Sequence, residues 1–205
     1  MKVIDAHHGE KFSAYNADCV EGVRELPDAS IGFSIYSPPF SHLFIYSDSE
    51  RDMGNAANDD EFLEHYGFLL RELHRVTKPG RLTAVHCTDM PRTKAVHGEM
   101  GLWDMPGAII EAHKAAGWTY HSRVTIWKDP VVEMQRTKAH GLLYKTFCKD
   151  SSRVRQGLPD YLLIFRRTPA DEKEADPVGK DKRLFHVSQW QQWASPVWMD
   201  INQTD

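Results

Sequence analysis

Four consecutive residues, Ser37, Pro38, Pro39 and Phe40, gather a hydroxyl, two conformationally fixed prolines and an aromatic ring. They follow a short apolar run rich in strand formers, Ile-Gly-Phe-Ser-Ile-Tyr at 31–36. Proline lacks the backbone N–H and fixes φ, so two in succession cannot continue a ladder. The run therefore reads as a buried strand, and 37–40 as a rigid loop at its C-terminal end. In open α/β sheets ligands sit outside the carboxyl ends of strands. These residues are either a binding loop or a plain turn after a core strand, and alone they do not decide which.

A second group that could do chemistry is cationic. Residues 136–155 hold Arg136, Lys138, Lys145, Lys149, Arg153 and Arg155 against Asp150 alone. The whole chain carries a net charge of −4, so it is no polycation, and any contact with nucleic acid must go through such a patch. The alternative is a solvated loop with a chance charge run. Metal chemistry finds no support. Cys19, Cys87 and Cys148 are far apart and odd in number, without a Cys-x-x-Cys pair, which fits a reducing cytoplasm and argues against a zinc ribbon. His65 and His74 share no helix face, and the His7-His8 pair has no spaced partner set.

The elements that must position these groups follow from periodicity. At 205 residues, 41% hydrophobic and 26% charged, the chain has the make-up of one globular domain or one plus an appendage. No apolar run approaches the roughly 20 residues that span a bilayer, and the N-terminus lacks the apolar core of a signal peptide. A short strand at 12–17 leads into a brief helix at 19–26 ended by Pro27, with Asp18 placed as its N-cap. After Phe40 a polar loop at 41–58, with Phe44, Tyr46 and Gly54, shows no period; a loop that long beside 37–40 favours a mobile cover over a site.

Residues 59–77 are the strongest helix: Phe62, Tyr66, Leu69, Leu70, Leu73 and Val76 make one apolar stripe, Asn58 or Asp59 caps it, and Pro79-Gly80 stops it. A strand at 81–87 ends at Asp89, which is either a site-lining carboxylate or a loop residue. A helix at 104–116 and strands at 120–127 and 158–166 follow. This alternation predicts an α/β fold with a mostly parallel sheet; the last strand lacks a crossover helix and is expected antiparallel at an edge. Residues 168–183 read as a charged linker, and 184–205 as a tail dense in tryptophan (Trp190, Trp193, Trp198) that needs a partner surface.

The ordered set of a strand followed by Asp-Cys-x-Glu at 18–21, Leu-Pro-Asp at 26–28, Ser-Pro-Pro-Phe, the long loop, Leu-His-Arg-Val-x-Lys-Pro-Gly at 73–80 and Gly-Leu-Pro-Asp-Tyr at 157–161 resembles one family closely. It is that of the amino-methylating DNA methyltransferases, in the permuted branch whose catalytic half precedes the cofactor half. The resemblance covers roughly residues 16–167. It implies a partial Rossmann-like methyltransferase sheet, S-adenosylmethionine as methyl donor, and double-stranded DNA as substrate.

An exocyclic base amine is a poor nucleophile because its lone pair is delocalised into the ring. A hydroxyl oxygen and a carbonyl, both acceptors, can hold its two hydrogens and steer the lone pair. The resemblance assigns the hydroxyl to Ser37 and the carbonyl to Pro38, with Pro39 stiffening the loop and Phe40 stacking on a flipped base. Serine at the first position leans towards N4 of cytosine over N6 of adenine. Asp18 corresponds to an acidic position near the cofactor's adenine, compatible with its N-cap role. The cations of 136–155 become phosphate contacts.

The chain departs from the family in one respect. The Phe-x-Gly-x-Gly cofactor loop is absent; after Leu163 the only glycine is Gly179, and the acidic residue expected beyond the loop is absent with it. The expectation is a catalytic half, from a truncated frame, a split gene or a remnant, whose donor site needs a complementary C-terminal half or second chain. Missing strands would leave edges uncovered. Two readings compete: an inactive DNA-binding remnant or interaction module, and an unrelated small α/β domain.

Overall fold

The computed structural model describes residues 3–41, 45–137, 139–169 and 171–201. The elements with a clear apolar pattern lie where the sequence places them, and several short ones have no such pattern. An antiparallel hairpin pairs β1 (Val3–His8) with β2 (Ser13–Ala17). Helix α1 (Cys19–Arg24) begins where the Asp18 carboxylate accepts the Glu21 amide at 3.0 Å. Strand β3 (Ile31–Tyr36) ends at the two prolines. Helix α2 (Asp59–Val76) is capped by Asn58, whose Oδ1 accepts the Glu61 amide at 2.9 Å, and it buries the six residues of the predicted stripe. Strand β4 (Thr77–Thr88) follows without a gap.

Next come β5 (Met90–Arg92), the short α3 (Lys94–His97), β6 (Gly101–Trp103), α4 (Met105–Ala115), β7 (Trp118–Ile126), α5 (Pro130–Thr137) and α6 (Tyr144–Phe147). Strand β8 (Asp160–Arg167), α7 (Val187–Trp193) and β9 (Val197–Trp198) complete the chain. The first strand, β1, carries no alternation that the sequence reading could use.

The chain forms two compact units, one drawn from 1–85, 107–122 and 164–177, the other from 86–106, 123–163 and 178–205. A five-stranded sheet has the order β3-β4-β8-β7-β9. Strands β3 and β4 are parallel, as are β7 and β9. Strand β8 runs the other way. Its first residue, Asp160, binds His86 near the end of β4, while its last, Arg167, donates to the Thr77 carbonyl at the start of β4. The same holds against β7: Thr119 near its start bonds Thr168 at 2.6 Å, and Lys128 beyond its end pairs with Asp160.

The antiparallel direction agrees with the sequence reading; the edge position does not. Strand β8 is internal, with Leu163 and Phe165 fully buried. A long crossover is needed only for parallel neighbours. One edge of the sheet is β3, and here the expected buried strand is not found: none of its residues is buried, and Phe33 and Ile35 are 54% and 63% exposed, because an edge strand lacks a neighbour on one side.

Between α2 and the paired part of β4 the chain bulges, since Ile31 faces Thr77 while Phe33 faces Leu82. Gly80 sits in this bulge at φ +78°, a conformation that favours glycine. The segment read as a charged linker is tethered beside it: the Ala175 amide donates to the Pro79 carbonyl at 3.0 Å, and Arg167 pairs with Glu172 at 2.7 Å. The tryptophan-dense tail supplies β9 and α7, with Trp190 and Trp193 exposed.

The core of the first unit is centred on Phe62, Tyr66, Leu70, Ile109 and Phe165, each fully buried. Leu70→Ala is expected to cost about 2–5 kcal/mol, the range for deleting a core leucine side chain. Asn58→Ala should cost about 1 kcal/mol through the lost cap. Urea unfolding of the two variants checks both.

Candidate active-site loop and basic pocket

The first unit carries the 37–40 loop. Pro38 is buried, Pro39 and Phe40 are half-buried, and Ser37 is exposed. The loop is clamped from behind by Ser41, which the sequence reading did not single out. Ser41 is 3% exposed and has φ +50°, an uncommon conformation for a residue other than glycine. Its amide donates to the Pro39 carbonyl at 2.9 Å, and its hydroxyl donates to Asp59 Oδ1 at 2.8 Å, at the start of α2. Such strained backbone persists where the surroundings over-determine it. Here the two hydrogen bonds and the rigid prolines do so. No sequence signal marks a serine at positive φ.

Immediately before the loop, the Tyr36 side chain ties β3 to two helices. Its hydroxyl lies 2.9 Å from the Tyr66 hydroxyl on α2 and 3.3 Å from His113 Nε2 on α4. His113 Nδ1 is 2.8 Å from the Ile109 carbonyl, which can only accept. Nδ1 therefore carries the proton, Nε2 accepts from Tyr36, and Tyr66 donates to Tyr36. The imidazole stacks on Phe165, with centroids 3.7 Å apart. Burial pushes the His113 pKa down to about 4, partly opposed by the Ile109 carbonyl. Burial also raises the Tyr36 pKa, against the hydrogen bond from Tyr66. Both groups are neutral near pH 7 and work as hydrogen-bonding struts. Nothing in the sequence singles out His113 within the helix expected at 104–116, because its partners Tyr36 and Phe165 are remote in the chain.

Asp18 is occupied locally, with one oxygen capping α1 and Arg51 3.9 Å from the other; Arg51 also pairs with Glu21. The 41–58 loop, expected to be a mobile cover, is anchored in part: Met53 and Ala56 are buried, and Asp52 caps the turn at Met53–Asn55. Phe44 lies outside the described residues.

The second unit holds the basic segment. A pocket of about 220 Å³ is lined by His140, Lys145, Thr146, Lys149, Ser151 and Arg153. Arg136 is exposed at the end of α5, and Lys138 lies outside the described residues. Arg155 is turned inward: its guanidinium binds the buried Glu133 at 3.2 Å, and Glu133 also accepts the Leu158 amide at 2.7 Å.

Asp160, read as part of a motif, is a buried anchor. Burial alone would raise its pKa, but His86 at 3.1 Å and Lys128 hold the carboxyl below its usual range. Asp89 is raised, by burial first and then by the Asp104 charge. Burial drives the Cys87 thiol up to about 12, so it is no nucleophile at neutral pH. Among the described residues no cluster could hold a metal ion, and no helix is long and apolar enough to cross a membrane.

No protein-family model and no curated protein sequence matches the chain. Among solved structures, a Thermus thermophilus protein described as a DNA modification methylase, complexed with S-adenosyl-L-methionine, superposes with TM-score 0.64 at 16% identity. The match covers 90% of this chain and 64% of that one. The PvuII DNA methyltransferase, cytosine-N4-specific, gives TM-score 0.57 at 15% identity, covering 93% of this chain and 57% of that one. The fold is thus the Rossmann-like fold seen in these DNA methyltransferases. The chain spans less than two thirds of the length of either.

The His113 strut has a pH signature. Unfolded histidine titrates near 6.5 and folded His113 near 4, so the unfolded state binds more protons between these values. The stabilisation is fully present above about pH 6.5 and is lost progressively as pH falls towards 4, on the order of 3 kcal/mol for such a shift. Urea unfolding at stepped pH should show this decline in the wild type and a shallower one in His113→Phe. Equal slopes would remove His113 as the source.

Proposed function

We propose that this chain is the catalytic part of an S-adenosylmethionine-dependent DNA methyltransferase that acts on an exocyclic amine of a base flipped from the duplex. The observation that carries this reading is the 37–40 loop, clamped by Ser41 and Asp59 at the C-terminal end of β3, in a fold shared with DNA methyltransferases. Ser37 Oγ and the Pro38 carbonyl would accept the two amine hydrogens. That holds the nitrogen's lone pair out of the ring and pointed towards the donor. The Pro39 carbonyl already accepts from Ser41, so it keeps the loop in shape and leaves the amine to its neighbours.

Phe40 would stack on the flipped base, contributing ~1–3 kcal/mol against an unstacking cost of a few kcal/mol. Serine at position 37 favours N4 of cytosine over N6 of adenine. Exposed cations of 136–155 would hold the DNA backbone.

The described residues do not by themselves fit the methyl donor. Asp18, the one carboxylate read as a cofactor contact, caps α1 and neighbours Arg51, and the sequence has no glycine loop after Leu163. The donor would be held together with a complementary segment, in the same or a second chain. Among the described residues β3 ends the sheet, and Phe33 and Ile35, which share one face, are exposed; an unpaired edge with a bare apolar face beside it supports this reading, since such an edge is a template for another strand. The occupied state of Asp18 favours one other reading, a DNA-binding remnant without catalysis.

In a reconstituted enzyme, Ser37→Ala and Phe40→Ala should each lower methyl transfer by at least tenfold while duplex affinity stays nearly constant. Full activity in both variants would sink the assignment of the loop. Isothermal titration should find S-adenosylmethionine binding weak or absent for this chain alone and restored by a complementary segment. Submicromolar binding by the chain alone would overturn the need for one, and no binding under either condition would favour the remnant.

A further inference from the structure

The pocket of the second unit is built, and its charge is one-sided. Its lining brings three cations, Lys145, Lys149 and Arg153, together with His140 and the hydroxyls of Thr146 and Ser151. No carboxylate lines it. Among the described residues none pairs with these three cations, in contrast with Arg155, whose charge is matched by Glu133.

The walls are fixed by backbone. The Arg155 amide donates to the Gly141 carbonyl at 3.2 Å, and a Cβ on Gly141 would meet the Arg153 carbonyl at 2.5 Å, so only glycine lets these two segments lie so close. Ser151 Oγ accepts the Arg153 amide at 3.3 Å, and the Lys149 amide donates to the Thr146 carbonyl at 3.3 Å. The Glu133 carboxylate holds the far end of the segment through Leu158 and Arg155. A volume of about 220 Å³ is several times the ~30 Å³ share of one water, room for an anion with part of its hydration shell.

Three like charges lining one pocket raise one another's electrostatic energy, and an anion relieves this. The geometry points to a seat for a single backbone phosphate of duplex DNA, held by Lys145, Lys149 and Arg153 with Thr146 and Ser151 as hydroxyl donors. Exposed aromatics beside it favour nucleic acid over a free anion: Tyr144 and Phe147 on α6, 78% and 64% exposed, lie with centroids 6.2 Å apart and planes 26° from parallel. Aromatic rings beside cations recur on surfaces that bind single-stranded nucleic acid, where unpaired bases stack and phosphates pair, and a duplex opened around a flipped base offers such bases. The inference rests on the DNA half of the proposed function and not on methyl transfer.

The test uses the full chain, a short labelled DNA duplex and inorganic phosphate, with binding read by fluorescence anisotropy across a potassium chloride series. Loss of one phosphate contact makes the negative slope of log K against log salt shallower by about 0.9. Lys149→Ala with Arg153→Ala should make the slope shallower by about that amount and weaken binding roughly tenfold at moderate salt, with an unchanged circular dichroism spectrum. Lys145→Glu should weaken binding further.

Inorganic phosphate should shift the amide resonances of Thr146 and Ser151 and displace the duplex more strongly than chloride of equal ionic strength. An unchanged slope in the double variant overturns the proposal. If phosphate shifts those resonances while the slope is unchanged, the pocket takes a free anion only, and the DNA assignment falls. A chain that binds duplex through this pocket yet transfers no methyl group when reconstituted would sink the catalytic reading and leave this one standing.

Discussion

The hydrogen-bonded line from Tyr66 through Tyr36 to His113 is the constraint on which the candidate active site depends. It joins α2, the end of β3 and α4 through three buried or half-buried polar groups, and the last is stacked on Phe165 of β8. Inside an apolar core such a line is worth having only when each group is satisfied. The Ile109 carbonyl closes it by fixing the imidazole tautomer, which leaves Nε2 free to accept. One residue further on, the chain enters the two prolines, and Ser41 locks the exit to Asp59. The exposed Ser37 is thus bracketed by anchored neighbours on both sides.

The same sheet buries its middle and exposes one of its edge strands. The antiparallel β8 is internal, with its apolar side chains buried, while β3 ends the sheet and exposes Phe33 and Ile35. A finished sheet rarely leaves an apolar edge uncovered. The strand that presents the 37–40 loop is also the strand at one edge of the sheet, so anything that pairs there acts on the loop's supporting element.

Charge in the second unit is divided by burial. Arg155, close in sequence to the exposed cations, is neutralised by Glu133 and serves the fold, and Lys128 does the same for Asp160. Lys145, Lys149 and Arg153 are exposed and line a pocket. A run of six cations in the sequence therefore holds at least two kinds of residue, which composition cannot separate.

The sequence by itself determined the elements that a short-range pattern controls. The stripe on α2 appears as six buried residues, Asp18 and Asn58 cap the helices they precede, and the double proline ends β3 where the ladder must stop. The candidate loop and the family likeness were legible because they rest on contiguous residues and their order. The tertiary structure alone decided what depends on contacts distant in the chain. It placed β8 inside the sheet, committed Arg155 to Glu133, made His113 a strut for Tyr36, and put Ser41 at positive φ. Each of these is set by partners between about 18 and 77 positions away or by the sheet's order. A local pattern carries no trace of them, because burial and hydrogen bonding are properties of the packed chain.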